Sequence, residues 1–165
     1  MNKAILYFII YVTGLVIQWG WTRYFSFYGL APDIVLIMLV FIALLRGPFV
    51  GELMGFFWGL AWDAMSVHMF GARSLSLLCI GFSVGFLSRK WDEKKISSQI
   101  LLTGLASLLY YLLLYGVHQV FAPIGERYWV NYIVYYQIIY NMLLAPLIFT
   151  LGLVLLSRLN LVHES

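Results

Sequence analysis

The sequence predicts an all-α integral membrane protein, a bundle of six transmembrane helices that forms one polytopic membrane domain over residues 1–165. Hydrophobic residues make up 63% of the chain and charged residues only 10%, and the mean hydropathy is +0.91. Soluble chains carry about 25% charged residues, so the excess apolar surface must face lipid. The apolar residues also form continuous segments, which are typical of helices rather than of the alternating strands of a barrel.

Six segments have roughly the 17–25 mainly apolar residues that a membrane helix needs. We expect them at about residues 4–21, 30–45, 48–66, 70–88, 97–120 and 132–156. The first is longer than the apolar core of a cleavable signal and reads as a retained span. The second is entered through Pro32 and Asp33, the third begins at Pro48 after a short turn, and Pro146 is expected to bend the sixth.

The basic residues predict the orientation of the bundle. With six spans both termini lie on one side, and basic residues accumulate in cytoplasmic loops. One side holds seven basic residues and the other holds three, so we expect both termini in the cytoplasm. The seven are Lys3, Arg46, Arg89, Lys90, Lys94, Lys95 and Arg158, and the three are Arg23, Arg73 and Arg127.

Glycine recurs at every fourth position of the third segment, at Gly47, Gly51, Gly55 and Gly59. In lipid, small residues let two helix backbones approach closely. Because each step of four turns about 40° around a helix, these glycines form a slowly winding groove. The groove favours tight packing against the second or fourth segment. Small residues also keep one side of the fourth segment small, so a close-packed pair of the third and fourth segments is the simplest arrangement. Docking of a partner's membrane helix is the alternative.

Three carboxylates occur at predicted membrane depth or at its edge: Asp33, Glu52 and Asp63. A charge there is costly unless it is paired, protonated or hydrated. Asp33 stands where a helix N-terminus would favour an acid. Arg46 is close enough in sequence to pair with Glu52, and Arg73 with Asp63. Structural capping and pairing is one interpretation, and a proton or substrate path is the other.

The sixth segment carries a polar face, formed by Tyr132, Tyr136 and Tyr140 with Gln137 and Asn141 beside it. Such a face can bond neighbouring helices or line a cavity. Cys79 is the single cysteine and cannot form an internal disulfide, and the three histidines lack partners at metal-ligand spacing. No nucleotide-binding or hydrolase motif is present, so we expect no enzyme, no metal, no cofactor and no nucleic-acid partner.

The order of these features resembles the MreD family of rod-shape-determining proteins. The motifs are Pro32-Asp33 before the second segment, a run from Gly55 to Asp63 with the pattern Gly-Phe-x-x-Gly-Leu-x-x-Asp, and Gly71 before the fourth segment. The match covers roughly residues 30–90. It implies a non-enzymatic membrane scaffold of the bacterial elongation machinery (the elongasome), which supports side-wall peptidoglycan synthesis and cell shape.

The resemblance also implies partners. These are MreC, a single-span protein with a periplasmic part, and through it the transglycosylase RodA, a class-B penicillin-binding protein and the MreB filament, together with membrane lipids. Gly47, Gly51, Gly55, Gly59, Asp63 and Gly71 would form helix-packing or partner-binding positions, and Asp33, Glu52, Tyr136, Tyr140 and Asn141 intramembrane polar positions.

The family fold is similar to the substrate-binding subunits of energy-coupling-factor transporters, which implies a second possible function. In that alternative the chain is a small-molecule-binding membrane subunit, and Asp33, Asp63 and the polar face of the sixth segment line a cavity. Fold alone does not decide between the two functions.

Overall fold

The computed structural model describes residues 3–24, 31–66, 69–88, 91–92, 95–121 and 132–158. These residues contain six α-helices and no strand: α1 (Lys3–Tyr24), α2 (Ile34–Arg46), α3 (Pro48–Met65), α4 (Ala72–Leu87), α5 (Ile96–Phe121) and α6 (Tyr132–Arg158). The all-helical fold class and the six predicted helices are confirmed. Of the basic residues used to predict orientation, Arg89, Lys90, Lys94 and Arg127 lie outside the described residues.

Two of the helices are long and apolar enough to cross a membrane, judged by length and composition within the described residues: Ile96–Phe121 and Ile133–Ser157. The helices α2 and α4 are apolar but shorter, with 13 and 16 residues. At about 1.5 Å per residue, α2 rises only about 20 Å, which is less than the roughly 30 Å of a bilayer's hydrocarbon core.

The short helix α2 lies at the centre of the bundle and contacts all five other helices. Ten of its 13 residues are buried, so it is apolar on every side, as a fully enclosed helix must be. It begins at Ile34, four residues later than expected from the sequence. Pro32 disfavours helical backbone before it, and Asp33 has a non-helical backbone and acts as the N-cap of α2.

The helix α1 is attached to α3 through aromatic side chains. The indole Nε1 of Trp58 donates to the Tyr11 carbonyl at 3.0 Å, and the Tyr11 hydroxyl donates to the Phe57 carbonyl at 3.3 Å. The Trp58 ring also lies against Gly14, where an added Cβ would come within 2.8 Å of the ring. These contacts position α1 along one edge of the bundle.

Candidate functional site

Three glycines of α3 lie directly against the backbone of α4. A Cβ added to Gly51 would lie 2.5 Å from the carbonyl oxygen of Gly81, closer than any real side chain comes. The same overlap occurs one and two turns further along α3. The backbone contacts pair Gly51 with Gly81, Gly55 with Leu77, and Gly59 with Ser74.

The contact between α3 and α4, which we call the glycine seam, continues at both ends. Near the start of α3, Gly85 packs against the backbone of Pro48. Near its other end, the Ser74 hydroxyl donates to the Phe56 carbonyl at 3.0 Å. The sequence predicted that the third and fourth helices form a close-packed pair. In the structure α4 occupies the groove that the glycine stripe forms, so a partner's helix would have to bind elsewhere on α3.

Gly47 and Gly71 have a different role from the glycines of the seam. Their φ angles are +83° and +94°, values that side chains with a Cβ rarely adopt. An added Cβ at either position would meet open space, so the backbone conformation requires glycine and packing does not. Gly47 makes the turn between α2 and α3, and its N–H donates to the Ala43 carbonyl at 2.9 Å.

Asp63 caps the N-terminus of α4 from the last turn of α3. Its Oδ2 accepts the N–H groups of Gly71 and Ser74, both at 3.0 Å, and its Oδ1 accepts that of Arg73 at 3.3 Å. The side chain is 2% exposed. The first N–H groups of a helix have no partner within it, so one carboxylate satisfies three donors and also meets the positive end of the helix dipole.

The two ion pairs suggested by the sequence take another form or do not occur. Arg73 meets Asp63 through its backbone, while its guanidinium lies over the Trp62 ring at 5.6 Å from the centroid. Within the described part of the chain, no ion pair joins Glu52 to Arg46. For Asp63 the capping geometry explains why no ion pair with Arg73 is needed, because three backbone donors already satisfy its carboxylate.

The start of α2 is held by an asparagine from α6. The Oδ1 of Asn141 accepts the N–H of Asp33 at 2.8 Å, and its Nδ2 donates to the Ser107 hydroxyl of α5 at 3.1 Å. Asn141 is completely buried. The Asp33 carboxylate in turn accepts the Leu36 N–H at 3.1 Å. Asn141 thereby joins three helices at one point.

Two glutamines complete this set of contacts around residues 31–35, which we call the amide clamp. Gln18 of α1 donates to the Pro32 carbonyl and accepts from the Val35 N–H, both at 3.2 Å. Gln137 of α6 donates to the Ala31 carbonyl at 2.9 Å. A helix end surrounded by apolar residues must have its backbone groups satisfied by protein, and the side-chain amides of Gln18, Gln137 and Asn141 do this for α2.

The polar face predicted for α6 is divided in the structure. Asn141 and Gln137 point inward to the amide clamp, whereas Tyr136 is 57% exposed and Tyr140 is half-buried. Glu52 is half-buried on α3. The sequence reading did not single out Gln18 or Ser107. The sequence signal for Gln18 was an amide side chain in a mainly apolar segment, whereas Ser107 is one of several small polar residues of its segment and had no such signal.

A groove opens between α1 and α6, and the central helix α2 forms its floor. Its volume is about 460 Å³. Its wall is mainly apolar, and the side chains with polar atoms are Tyr7, Trp21 and Thr13, whose hydroxyl donates to the Ile9 carbonyl at 2.7 Å. The floor is formed by Ile34, Met38, Phe41, Ile42, Leu45 and Arg46, and the walls by residues 7–21 of α1 and 144–156 of α6.

The polar side chains of the glycine seam and the amide clamp pack and cap helices. Among the described residues, no group of three or more His, Cys, Asp or Glu side chains could hold a metal ion. Asp63, Gln137 and Asn141, which could have lined a polar cavity, form hydrogen bonds with backbone and side-chain groups of neighbouring helices.

The chain was compared with known proteins and with models of protein families. Neither the curated proteins nor the solved structures contain a match to this chain. A family model described as rod shape-determining protein MreD matches residues 1–159 of the 165 residues. Proteins of that family are membrane proteins with a role in rod shape determination and are not known as enzymes. The chain therefore belongs to the MreD family.

Proposed function

We propose that this chain is a non-enzymatic scaffold of the rod complex. It crosses the bacterial inner membrane six times as one domain and supports side-wall peptidoglycan synthesis by binding MreC. Through MreC it associates with RodA, a class-B penicillin-binding protein and MreB. Family membership supports this proposal, as does an interior whose polar groups join helices to one another.

The observation that carries the proposal is a rigid helix pair with exposed aromatic side chains. The glycine seam and the Asp63 cap fix α3 against α4 through their backbones. Five phenylalanines of these two helices have exposed side chains, and we call them the exposed phenylalanines: Phe49, Phe56, Phe57, Phe82 and Phe86, with exposed fractions from 38% to 74%. A preformed surface loses little conformational freedom on binding, and aromatic side chains contribute large contact areas.

Co-purification with MreC tests this surface. We expect the double variant Phe82→Ala with Phe86→Ala to lose MreC, because both exposed rings lie on one side of α4. The matched control is Leu108→Ala with Leu112→Ala, a similarly spaced exposed pair on α5. Loss of MreC in the control with retention in the phenylalanine variant would place the interface on α5. Wild-type chain that does not bind MreC would refute the scaffold itself.

Gly55→Leu is not a suitable test of the partner surface. The Leu77 backbone lies where the new side chain would go, so this variant would disrupt the bundle before it reported on a partner. Substitutions at exposed positions separate a loss of partner binding from a loss of folding, since their side chains do not touch the seam. Thermal stability measured on the same samples shows whether each variant is folded.

The orientation is also a proposal, supported by the seven-to-three distribution of basic residues. It places Lys95 in the cytoplasm and Phe70 outside, and both side chains are exposed. In a Cys79→Ser background, Lys95→Cys should react with a membrane-impermeant thiol reagent only after the cells are opened. Phe70→Cys should react in intact cells, and the reverse pattern would invert the topology.

A further inference from the structure

We propose that the outer side of α3 around Glu52 binds a membrane helix of another protein, and that this helix carries a lysine or arginine at the depth of Glu52. The proposal rests on the six-span arrangement proposed above, because α3 must cross the membrane, but it does not require that the partner is MreC. Its three supports are the depth of Glu52, the apolar side chains around it and the absence of a partner for it among the described residues.

Glu52 lies well inside the length of α3. It is the fifth of the 18 residues from Pro48 to Met65, about 7 Å from the middle of the helix at 1.5 Å per residue. When α3 is centred in a hydrocarbon core of roughly 30 Å, the Glu52 Cα lies about 8 Å below the nearer boundary. Lysine and arginine reach the interface from such depths on long stems. The glutamate stem is shorter, so its carboxylate stays among apolar groups.

Exposed apolar side chains continue on both sides of Glu52. Phe49 and Phe56 lie three residues before it and four residues after it, so the three share one side of α3. Phe49 is 74% exposed and Phe56 is 38% exposed. On α4, Phe86 is 70% exposed, and the residue before it packs against Pro48 at the start of α3. The apolar surface thus extends past Glu52 towards the helix start, and the carboxylate lies within that surface.

The bundle gives the Glu52 carboxylate no donor. Among the residues that the structure describes, none forms a hydrogen bond or an ion pair with it, whereas the carboxylates of Asp33 and Asp63 accept backbone N–H groups. The Glu52 side chain is only half-buried, so part of it faces away from the bundle. A carboxylate inside a membrane almost always faces the interior of a helix assembly. Glu52 therefore indicates an assembly larger than this chain.

Charge complementarity identifies the occupant as a helix with a basic side chain. A lipid phosphate is anionic and would be repelled, and lipid headgroups lie at the interface rather than at this depth. A second copy of this chain is unsuitable, because every lysine and arginine of the six helices lies within two residues of a helix end. A basic residue in the second turn of a partner's helix would meet Glu52, with Phe49 and Phe56 supplying aromatic contact on either side.

The probe that tests this surface is a synthetic membrane helix of about 20 leucine and alanine residues. It carries a lysine at the fifth position from each end, so that it can bind in either orientation, and the control helix has leucine at both positions. Energy transfer between the labelled helix and the tagged full-length protein in phosphatidylcholine vesicles measures binding. We expect the wild-type protein to bind the lysine helix about threefold to tenfold more tightly than the leucine helix, the effect of one polar contact between membrane helices.

Glu52→Gln should abolish this preference, because the amide carries no charge, and should leave the Tm unchanged. Phe49→Ala should weaken the binding of both helices, because its ring lies on the same side of α3 as Glu52. The matched control is Phe121→Ala, which removes a phenylalanine of similar exposure (67%) from the end of α5 and should change neither affinity. Thermal unfolding of each variant shows whether it is folded.

Three results would overturn the proposal. Equal binding of the two helices by the wild-type protein would mean that Glu52 does not pair with a basic side chain on this surface. A lysine preference that persists in Glu52→Gln would assign the preference to another group. Dimers of the wild-type protein that Glu52→Gln abolishes, with neither helix bound, would assign the surface to a second copy. Co-purification with MreC is a separate measurement, so its failure would refute the scaffold and leave these results unaffected.

Discussion

Replacement of Asp63 tests whether its carboxylate holds α4 in place. Asp63→Ala removes the acceptor of three N–H groups and leaves those of Gly71, Arg73 and Ser74 without a partner. Asp63→Asn keeps one carboxamide oxygen. If that oxygen takes the position of Oδ2, it still accepts from Gly71 and Ser74, while the new NH₂ group faces the Arg73 N–H.

The magnitudes follow from the number of unsatisfied donors. A buried donor without an acceptor costs about 1–3 kcal/mol, and loss of a helix N-cap alone costs about 0.5–2 kcal/mol. At the low end of the first range, three donors give a loss of about 3 kcal/mol in unfolding free energy for Asp63→Ala. One donor gives about 1 kcal/mol for Asp63→Asn.

Thermal unfolding in detergent or nanodiscs measures this difference. For a chain of this size, 1 kcal/mol shifts the Tm by about 2–4 °C, so we expect a fall of about 6–12 °C for Asp63→Ala and about 2–4 °C for Asp63→Asn. The control is Glu52→Ala on the same helix, whose half-buried carboxylate has no hydrogen bond to any other residue that the structure describes. Its unfolding free energy should change by less than about 0.5 kcal/mol.

Two results would refute the capping argument. If Asp63→Ala and Glu52→Ala lower the Tm equally, the three hydrogen bonds to α4 contribute nothing specific. If Asp63→Asn is as damaging as Asp63→Ala, the negative charge matters and the acceptor geometry does not. The second result would favour an ionic role for the side chain.

Further predictions concern the glycine seam and the amide clamp. Gly55→Ala should lower the unfolding free energy by about 1–3 kcal/mol because the new methyl group overlaps the α4 backbone, whereas Gly116→Ala, on α5 with open space around it, should be neutral or stabilise by up to about 1 kcal/mol. Equal effects in chemical unfolding would contradict the seam. Asn141→Leu should cost about 2–4 kcal/mol because the Asp33 N–H and the Ser107 hydroxyl lose their partner. Hydrogen exchange should then accelerate at the start of α2, and Tyr135→Phe on the exposed side of α6 should leave it unchanged.

The sequence was informative about the helices because each is a continuous apolar segment. Most predicted ends agree with the structure to within three residues, and the start of α2 is later because Asp33 caps the helix. The spacing of Gly51, Gly55 and Gly59 also predicted a close backbone contact, since a repeat of four places small residues on one side of a helix.

The polar contacts were much less predictable. Pairing by sequence distance suggested ion pairs for Asp63 and Glu52, but a carboxylate can equally accept from backbone N–H groups, and only the relative position of two helices decides. Gln18 and Asn141 meet the same short segment from helices more than a hundred residues apart. No periodicity within either helix contains that information, because it depends on tertiary packing.

The Asp63 cap has a consequence for how the protein enters the membrane. On insertion scales an aspartate costs about 2.5–3.5 kcal/mol at the middle of a helix and less near its end, where Asp63 lies. The four glycines of residues 47–59 add little apolar area to offset even the smaller cost. The donors that satisfy Asp63 belong to the next helix, 8 to 11 residues further along the chain. The third helix should therefore insert poorly by itself and well as a hairpin with the fourth, so that the translocon has to retain it until the following segment has been synthesised.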